Sequence, residues 1–409
     1  MQIKPILAAL KRHKAGTVLI ALQIALTLAI VCNAMFIIQQ RLARVARPTG
    51  MIETNLLTIQ NRWVGHDATS TESLVKTDLA ALRQMPGVVD ATATNSFPLR
   101  GGGWSMGVQL DPNAKKAITA TTLYFTDDHA LATMGLRLVA GRNFRPDEIS
   151  WIDPQKVKAP AQIIVSKALA DKVFPDGHAL GKSIYVMGTD APSTIVGIVE
   201  RLQVPWSGTW ANNFAENSVL VPTLLTGPFG SYLIRTRPGQ LAAITKAAPA
   251  LLIKTDRMRV ISDDTGVRTF AQVREKAYKS DRGMAILMSV VCAVLLAITA
   301  AGIVGLTSFW VGQRRKQIGV RRALGATRND ILSYFLTENL LIGVGGVVVG
   351  ALMAVGVNLW MVTHFEMARL SLTYVAIGMV ALLVLGQGAV LAPALRASRV
   401  PPVEATRSV

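Results

Sequence analysis

Residues 312–330, GQRRKQIGVRRALGATRND, lie between two long apolar runs and decide the architecture of this chain. Six of these residues are Lys or Arg, and only one, Asp330, is acidic. A loop this basic between two membrane helices is expected on the cytoplasmic side of a membrane. The loop is also long enough for one short helix on the membrane surface, where another protein could bind it.

The flanking runs have the length of membrane helices. A span needs about 20 apolar residues, because the hydrocarbon core is about 30 Å thick and a helix rises about 1.5 Å per residue. Four runs qualify, at residues 15–38, 283–311, 331–362 and 372–395. We therefore predict an α-helical integral membrane protein with four transmembrane helices and a large mixed α/β extracytoplasmic domain inserted between helices 1 and 2.

The predicted segments follow one another without gaps along the chain. They are a cytoplasmic amphipathic helix (1–14), transmembrane helix 1 (15–40), a periplasmic domain of two subdomains (41–282), transmembrane helix 2 (283–311), a cytoplasmic loop (312–330), transmembrane helix 3 (331–363), a short periplasmic loop (364–371), transmembrane helix 4 (372–395) and a cytoplasmic tail (396–409). In the first of these, Ile3, Ile6, Leu7 and Leu10 share one helical face, which is typical of a helix lying on the inner leaflet.

Charge sets the expected orientation. The two tails and the central loop together hold 13 Lys and Arg but only two acids, Asp330 and Glu404, within a net charge of +18. The positive-inside rule places all three segments on the cytoplasmic side of the membrane. Because these bases flank spans and do not cover one face of a folded domain, nucleic-acid binding is not expected. The first run is too long for the apolar core of a signal peptide, so an uncleaved anchor is predicted.

The inserted domain shows a mixed α and β pattern. Strands at 55–60 and 88–94 flank a helix at 71–85 that stops at Pro86-Gly87, which predicts a β-α-β unit. A second unit is predicted from strands at 218–222 and 231–235 with a helix at 241–253. Between the units we predict strands at 162–165, 184–187 and 195–199, a helix at 167–174 capped by Ser166, and a loop at 145–160. A charged helical pattern over 269–282 runs directly into the second span.

The sequence offers little support for catalysis, a cofactor or a metal site. Residues 177–183, GHALGKS, resemble a phosphate-binding loop, but three residues separate the glycines where the motif has four, and a strand follows. The five histidines show no ligand spacing, and no H-E-x-x-H or G-x-S-x-G motif occurs. Both cysteines, Cys32 and Cys292, fall inside predicted spans, so the extracytoplasmic domain has no internal disulfide.

Two kinds of residue inside the predicted spans are candidates for an ion pair or for close helix packing. Glu338 lies about two turns into the third span, where a carboxylate is either functional or paired with a base such as Arg322 or Arg328. Gly302 and Gly305 in the second span, and Gly346 and Gly350 in the third, are small enough for close helix packing, within one chain or between chains.

These features resemble the MacB-type, or FtsX-like, permeases of ABC transporters. Residues 315–326, RKQIGVRRALGA, are similar to the family signature R-x-E-I-G-x-R-R-A-L-G-A, with Gln317 in place of Glu. The segment Asp330-Ile331-Leu332 with Glu338 continues the match, and Pro393–Ala397 with Pro402–Ala405 resemble the closing motif. Residues 135–144, 176–182 and 195–199 resemble the periplasmic pattern.

The resemblance implies a non-catalytic permease without a fused nucleotide-binding domain, driven by a separate ABC ATPase dimer that binds the ATP. It implies a second permease copy or paralogue, and a loop that docks on the ATPase. That loop would act through Ile318, Gly319, Arg321, Arg322, Ala323, Leu324, Gly325 and Ala326, with Ile318, Ala323 and Leu324 as an apolar knob.

Three functions remain open on the sequence. The first is mechanotransmission in tripartite efflux of antibiotics, peptides or siderophores, with a periplasmic adaptor (membrane-fusion protein) and an outer-membrane duct. The second is lipoprotein extraction by a LolC/LolE-like permease. The third is signalling or activation of a cell-wall hydrolase by a permease that transports nothing.

Overall fold

A computed structural model of the chain describes residues 14–401 except 157, 187–190, 264 and 366–368. The predicted amphipathic helix at 1–14 and the closing motif at 402–405 therefore lie almost wholly outside the described residues. The described chain divides into a helical bundle, from Met1–Val45 and Asp281–Val409, and a large domain, Ala46–Ser280.

The helices and strands are numbered in chain order. The helices are α1 Lys14–Val45, α2 Ala68–Gln84, α3 Ala130–Met134, α4 Lys167–Val173, α5 Leu241–Thr255, α6 Phe270–Gln313, α7 Arg315–Ala323, α8 Arg328–Phe365 and α9 Leu372–Ser398. The strands are β1 Leu56–Trp63, β2 Val88–Thr94, β3 Trp104–Val108, β4 Thr119–Thr126, β5 Leu138–Gly141, β6 Ser150–Ile152, β7 Gln162–Ser166, β8 Ser183–Ile184, β9 Ser193–Val199, β10 Ser218–Leu225, β11 Phe229–Thr236, β12 Arg259–Val260 and β13 Val267–Thr269.

Within the described residues, four helices, α1, α6, α8 and α9, are long and apolar enough to cross a membrane. This confirms the prediction of four spans with an α/β domain between the first and the second. Helix α6 is continuous over 44 residues, so the charged pattern before the second span is part of the same helix. At about 1.5 Å per residue, a helix of this length extends well beyond a 30 Å hydrocarbon core.

Small residues let α8 approach α1 closely. A Cβ added at Gly346 would lie 2.9 Å from the Ala21 carbonyl oxygen, and one at Gly350 would lie 2.8 Å from that of Ala25. The predicted packing role of these two glycines is therefore met within one chain, against the backbone of α1. Their contact buries Ile24 and Leu28 of α1 in the core of the bundle.

The glycines of α6 behave differently from one another. A Cβ at Gly302 would meet the Gln23 side-chain oxygen at 2.7 Å, whereas one at Gly305 would meet nothing within 4 Å. Gly305 therefore makes no close contact with another described helix of the same chain, and its packing between chains stays a prediction. Three residues along a helix turn a position about 60° away, and that moves Gly305 off the face that contacts Gln23.

The large domain contains two sheets. In the first, the order is β12-β1-β11-β2, with β13 also paired to β1. Strands β1 and β2 are joined by α2 and flank β11, while β11 and β12 are joined by α5 and flank β1. Two interlocked β-α-β units of this kind form a ferredoxin-like arrangement. Both predicted helices pack on this sheet, around Leu79, Leu82, Ile244 and Leu252.

The composition of the second predicted β-α-β unit was wrong. Strand β10, predicted as its first strand, belongs to the other sheet, whose order is β3-β4-β10-β7-β9-β5. That sheet lies in the chain between β2 and β11, so it is an insertion into the ferredoxin-like unit. Which strands become neighbours depends on long-range pairing that local patterns do not encode.

Two local predictions in the inserted sheet can be compared with the structure. Ser166 caps α4, because its side-chain oxygen accepts a hydrogen bond from the Leu169 N–H at 3.4 Å. The predicted loop at 145–160 is wrong in its middle, where β6 pairs in parallel with the end of β10. The predicted strand at 184–187 begins as β8, and Met187 lies outside the described residues.

A buried ion pair links α2 to the strand after α5. The Asp78 and Arg259 side chains are both fully buried and form a bidentate pair at 2.8 and 2.9 Å. The Tyr232 hydroxyl donates to the same carboxylate at 2.6 Å, and burial together with this carboxylate raises the pKa of Tyr232 well above its usual value. The pair therefore ties α2 directly to β12, at one edge of the sheet.

The helix contact predicts a position-specific effect of alanine in α8. Gly346→Ala should lower the midpoint of thermal unfolding in detergent, because its methyl group must displace the α1 backbone. Gly345→Ala is the matched control, since a Cβ there meets nothing within 4 Å and alanine favours a helix. Equal midpoints for the two variants would contradict the close contact.

Candidate functional site

The basic hairpin between α6 and α8 holds one short helix, α7, as expected from its length. Helix α7 ends at Ala323, and Gly325, two residues further on, has a φ of +99°, in the left-handed region that favours glycine. Helix α8 then begins with a reciprocal cap, in which the Asp330 N–H donates to Thr327 Oγ1 at 3.2 Å and the Thr327 N–H donates to the Asp330 carboxylate at 2.8 Å. Both turns are therefore fixed by local contacts.

The apolar residues of α7 divide between two sides. Ile318 is only 5% exposed and packs in the core of the bundle, whereas Leu324 is 84% exposed. Gly319 is also buried, while Val320 and Ala323 are exposed. The prediction that Ile318 belongs to an exposed knob is wrong, because the helix uses this side chain to anchor itself to the bundle. Leu324 and Val320 remain on the free side.

The two arginines of the predicted motif also differ. Arg321 is exposed, and its guanidinium carbon lies 5.0 Å from the centre of the Tyr334 ring in α8, within cation–π range. Arg322 is half-buried. Gly325 is exposed and Ala326 packs at the edge of the bundle core, so the free side of the hairpin includes Val320, Arg321, Ala323, Leu324 and Gly325.

Glu338 is buried and paired. Its carboxylate accepts two hydrogen bonds from Arg314 Nη1, at 2.9 and 3.1 Å, and both side chains are nearly excluded from solvent. The prediction that Glu338 pairs with a base such as Arg322 or Arg328 is wrong. Arg314 stands in the single-residue gap between α6 and α7, so its pair with Glu338 holds the start of the hairpin against α8.

Elsewhere, the segment that resembles a phosphate-binding loop satisfies its own charges. Lys182 Nζ donates to the Asp176 carboxylate at 2.7 Å and lies 4.8 Å from the Phe174 ring centre. The hydrogen bond from Lys182 lowers the pKa of Asp176 below its usual value. Since Ser183 starts β8 and no helix follows, this segment lacks the helix N-terminus on which a phosphate would sit.

A cleft of about 370 Å³ opens between α4, β5 and the end of β9. Its lining includes Phe174 and two ion pairs, Arg137 with Glu200 and Lys167 with Asp171. These four charges are thus paired with one another. Within the described part of the chain, no cluster of three or more His, Cys, Asp or Glu could hold a metal ion.

Comparison with known families covers both parts of the chain. The model of a MacB-like periplasmic core domain matches residues 17–251, and that of an FtsX-like permease C-terminal domain matches residues 289–402. The second match includes the whole basic hairpin and Glu338, so the candidate site lies within the FtsX-like part.

Individual relatives are distant. The macrolide export ATP-binding/permease protein MacB of Chromobacterium violaceum is 26% identical over 276 residues, which are 66% of this chain and 41% of that protein. The chain therefore spans less than half the length of that relative. The ABC transporter permease YvrN of Bacillus subtilis is 24% identical over 293 residues, 70% of this chain and 69% of that protein. The periplasmic region of MacB from Actinobacillus actinomycetemcomitans aligns with a TM-score of 0.35 and 14% identity, covering 57% of this chain and 96% of that one.

The buried pair predicts non-additive effects of neutralising substitutions. Arg314→Gln or Glu338→Gln alone should cost about 3–5 kcal/mol of unfolding free energy, because each leaves an unpaired buried charge. The double variant should be more stable than either single variant. The measurement is unfolding in detergent, with Arg328→Gln as an exposed control on the same hairpin. Additive losses in the double variant would contradict the pairing.

Proposed function

Because the chain belongs to the MacB-like, FtsX-like family of ABC transporter permeases, we propose that it is the permease subunit of an ATP-driven transporter and that α7 docks on a separate ATPase subunit. The observation that carries the proposal is the two-sided construction of α7. One side is anchored by the buried Ile318 and by the Arg314–Glu338 pair at its start. The other presents Arg321 and the almost fully exposed Leu324.

This construction supports a role in force transfer. An exposed leucine beside arginines offers a partner one apolar contact and charge contacts, a common composition for an interface core and its rim. The anchors make α7 move with the bundle, so a push on Leu324 is delivered to the helices. Only Arg314 separates α7 from α6, and α6 runs unbroken from Gln313 back to Phe270. A displacement at the hairpin can therefore travel along one helix to the large domain.

In this mechanism the ATPase does work on the large domain, and the substrate need not pass through the four spans. The transporter contains two ATPase subunits and a second permease, identical or paralogous. The hairpin and both termini face the cytoplasm and the large domain faces the periplasm of a bacterial inner membrane. The concentration of bases in the hairpin supports this orientation.

The favoured process is tripartite efflux of antibiotics, peptides or siderophores, with a periplasmic adaptor and an outer-membrane duct. Its support is the matched periplasmic core domain and the macrolide-export name of one relative. The chain itself performs no catalysis, and ATP is bound by the partner.

The proposal predicts uncoupling without loss of folding. Arg321→Glu combined with Arg322→Glu, or Leu324→Asp alone, should abolish transport-dependent resistance while the protein still inserts in the membrane. Leu324 tolerates the change structurally because its side chain is 84% exposed. The measurements are co-purification of the ATPase, ATP hydrolysis in the reconstituted complex, and export in cells.

Matched controls separate coupling from charge alone. Arg396→Glu with Arg399→Glu makes the same charge change on exposed residues at the end of α9 and should leave ATPase binding intact. Ile318→Asp should instead reduce the amount of folded protein, because it places a charge in the bundle core. Full transport by the Arg321/Arg322 double variant would overturn the proposal.

A further inference from the structure

Residues 205–214 of the large domain, here called the aromatic loop, carry three aromatic side chains in mutual contact. The rings of Trp206, Trp210 and Phe214 have centroids 5.2 to 6.3 Å apart. Trp206 and Phe214 form a small cluster with Val204 and Ala211, separate from the cores of the two sheets. Trp210 is 60% exposed, so a large part of its apolar ring lies on the surface of the large domain.

Contacts within the large domain bring this loop next to the residues that lead into the membrane helices. Asn212 Oδ1 accepts a hydrogen bond from Arg47 at 3.1 Å, and Arg47 stands two residues after the end of α1. The Ser207 hydroxyl donates to the Ala277 carbonyl oxygen at 3.2 Å, and Ala277 lies on α6. Two independent contacts within the large domain thus join the aromatic loop to residues that are close in sequence to two of the spans.

The distance to the bilayer follows from helix geometry. The apolar part of α6 begins at Gly283, six residues after Ala277, which corresponds to about 9 Å along the helix axis. The headgroup region adds about 5–7 Å to each side of the hydrocarbon core. A residue at the level of Ala277 on α6 therefore lies close to the headgroup region. Tryptophan is enriched at the membrane–water interface of membrane proteins, because its ring is apolar and its N–H is polar.

The positive charge of α6 beside the aromatic loop also favours contact with a membrane surface. Residues 274–279 of α6 contain Arg274, Lys276 and Lys279 against the single acid Glu275. Lys276 and Lys279 are exposed, whereas Arg274 is engaged with Glu53 at 2.6 Å. The positive-inside rule explains an excess of Lys and Arg only on the cytoplasmic side of a membrane. It therefore does not account for the exposed lysines next to the large domain. Exposed lysines next to a membrane attract anionic lipid headgroups.

We propose that the aromatic loop is a lipid-contacting surface, which places Trp210 among the headgroups of the leaflet that faces the large domain, beside anionic lipids held by Lys276 and Lys279. The loop then links the position of the large domain to the membrane at a point other than the helices themselves. A protein partner of the same face is the competing occupant that the test must separate.

The test uses the full chain reconstituted in vesicles that contain lipids brominated near the headgroup end of the acyl chain. Bromine quenches tryptophan fluorescence at short range, so Trp210→Phe should remove a share of the quenchable fluorescence. The share should be as large as that removed by Trp360→Phe, because Trp360 is 53% exposed near the end of the membrane helix α8. Trp151→Phe should remove none, since Trp151 packs against the core of the ferredoxin-like sheet.

A second comparison tests the charge. In vesicles rich in phosphatidylglycerol, the Trp210 share should exceed that in phosphatidylcholine vesicles, and Lys276→Gln with Lys279→Gln should remove the difference. Equal quenching of wild type and Trp210→Phe would overturn the proposal. The proposal would also be overturned if lipid bromine does not quench Trp210 while added partner subunits bury its side chain. That result would assign this face to a protein partner. The assay needs no ATPase, so its outcome is independent of coupling at α7.

Discussion

The geometry of the basic hairpin depends on one buried ion pair, Arg314 with Glu338. A carboxylate and a guanidinium are costly to remove from water, so each is tolerated inside the bundle only because the other is 2.9 Å away. The pair fixes where α6 ends and how α7 leaves it. With Ile318 buried beside it, the hairpin becomes a rigid extension of the bundle, and Leu324 is left exposed.

The remainder of the bundle depends on a different constraint, the close approach of α1 and α8. Glycine at 346 and 350 brings backbone against backbone, and side-chain contacts such as Asn33 Nδ2 to the Ala354 carbonyl, at 3.1 Å, follow from that approach. Thr27 and Thr299 make a further polar contact, at 2.7 Å, between α1 and α6. Small residues and interhelical hydrogen bonds replace the hydrophobic effect, which does not drive association between helices in lipid. The first span is thereby held against helices that come after the large domain.

Much of this architecture could be predicted from the sequence, because length and apolarity alone identify a membrane span. The four spans, the short helix in the hairpin and individual strands such as β2 and β9 were predicted close to their bounds. The pairing of strands was not, since the interlocked order of β1, β11 and β2 arises from contacts between distant segments. The partner of Glu338 and the orientation of Ile318 were missed for a related reason. On a nine-residue helix, periodicity does not reveal which face meets the bundle. The clustering of Trp206, Trp210 and Phe214 was also overlooked, although their spacing of four residues is a helical signal.

The function proposed for α7 requires its free side to face the compartment of the ATPase. The most direct measurement is labelling of Leu324→Cys with a membrane-impermeant maleimide, in a protein whose own cysteines, Cys32 and Cys292, are both buried. Labelling is expected only after the cells are permeabilised, with protection from the reagent when the ATPase subunit is bound. Efficient labelling in intact cells would contradict it.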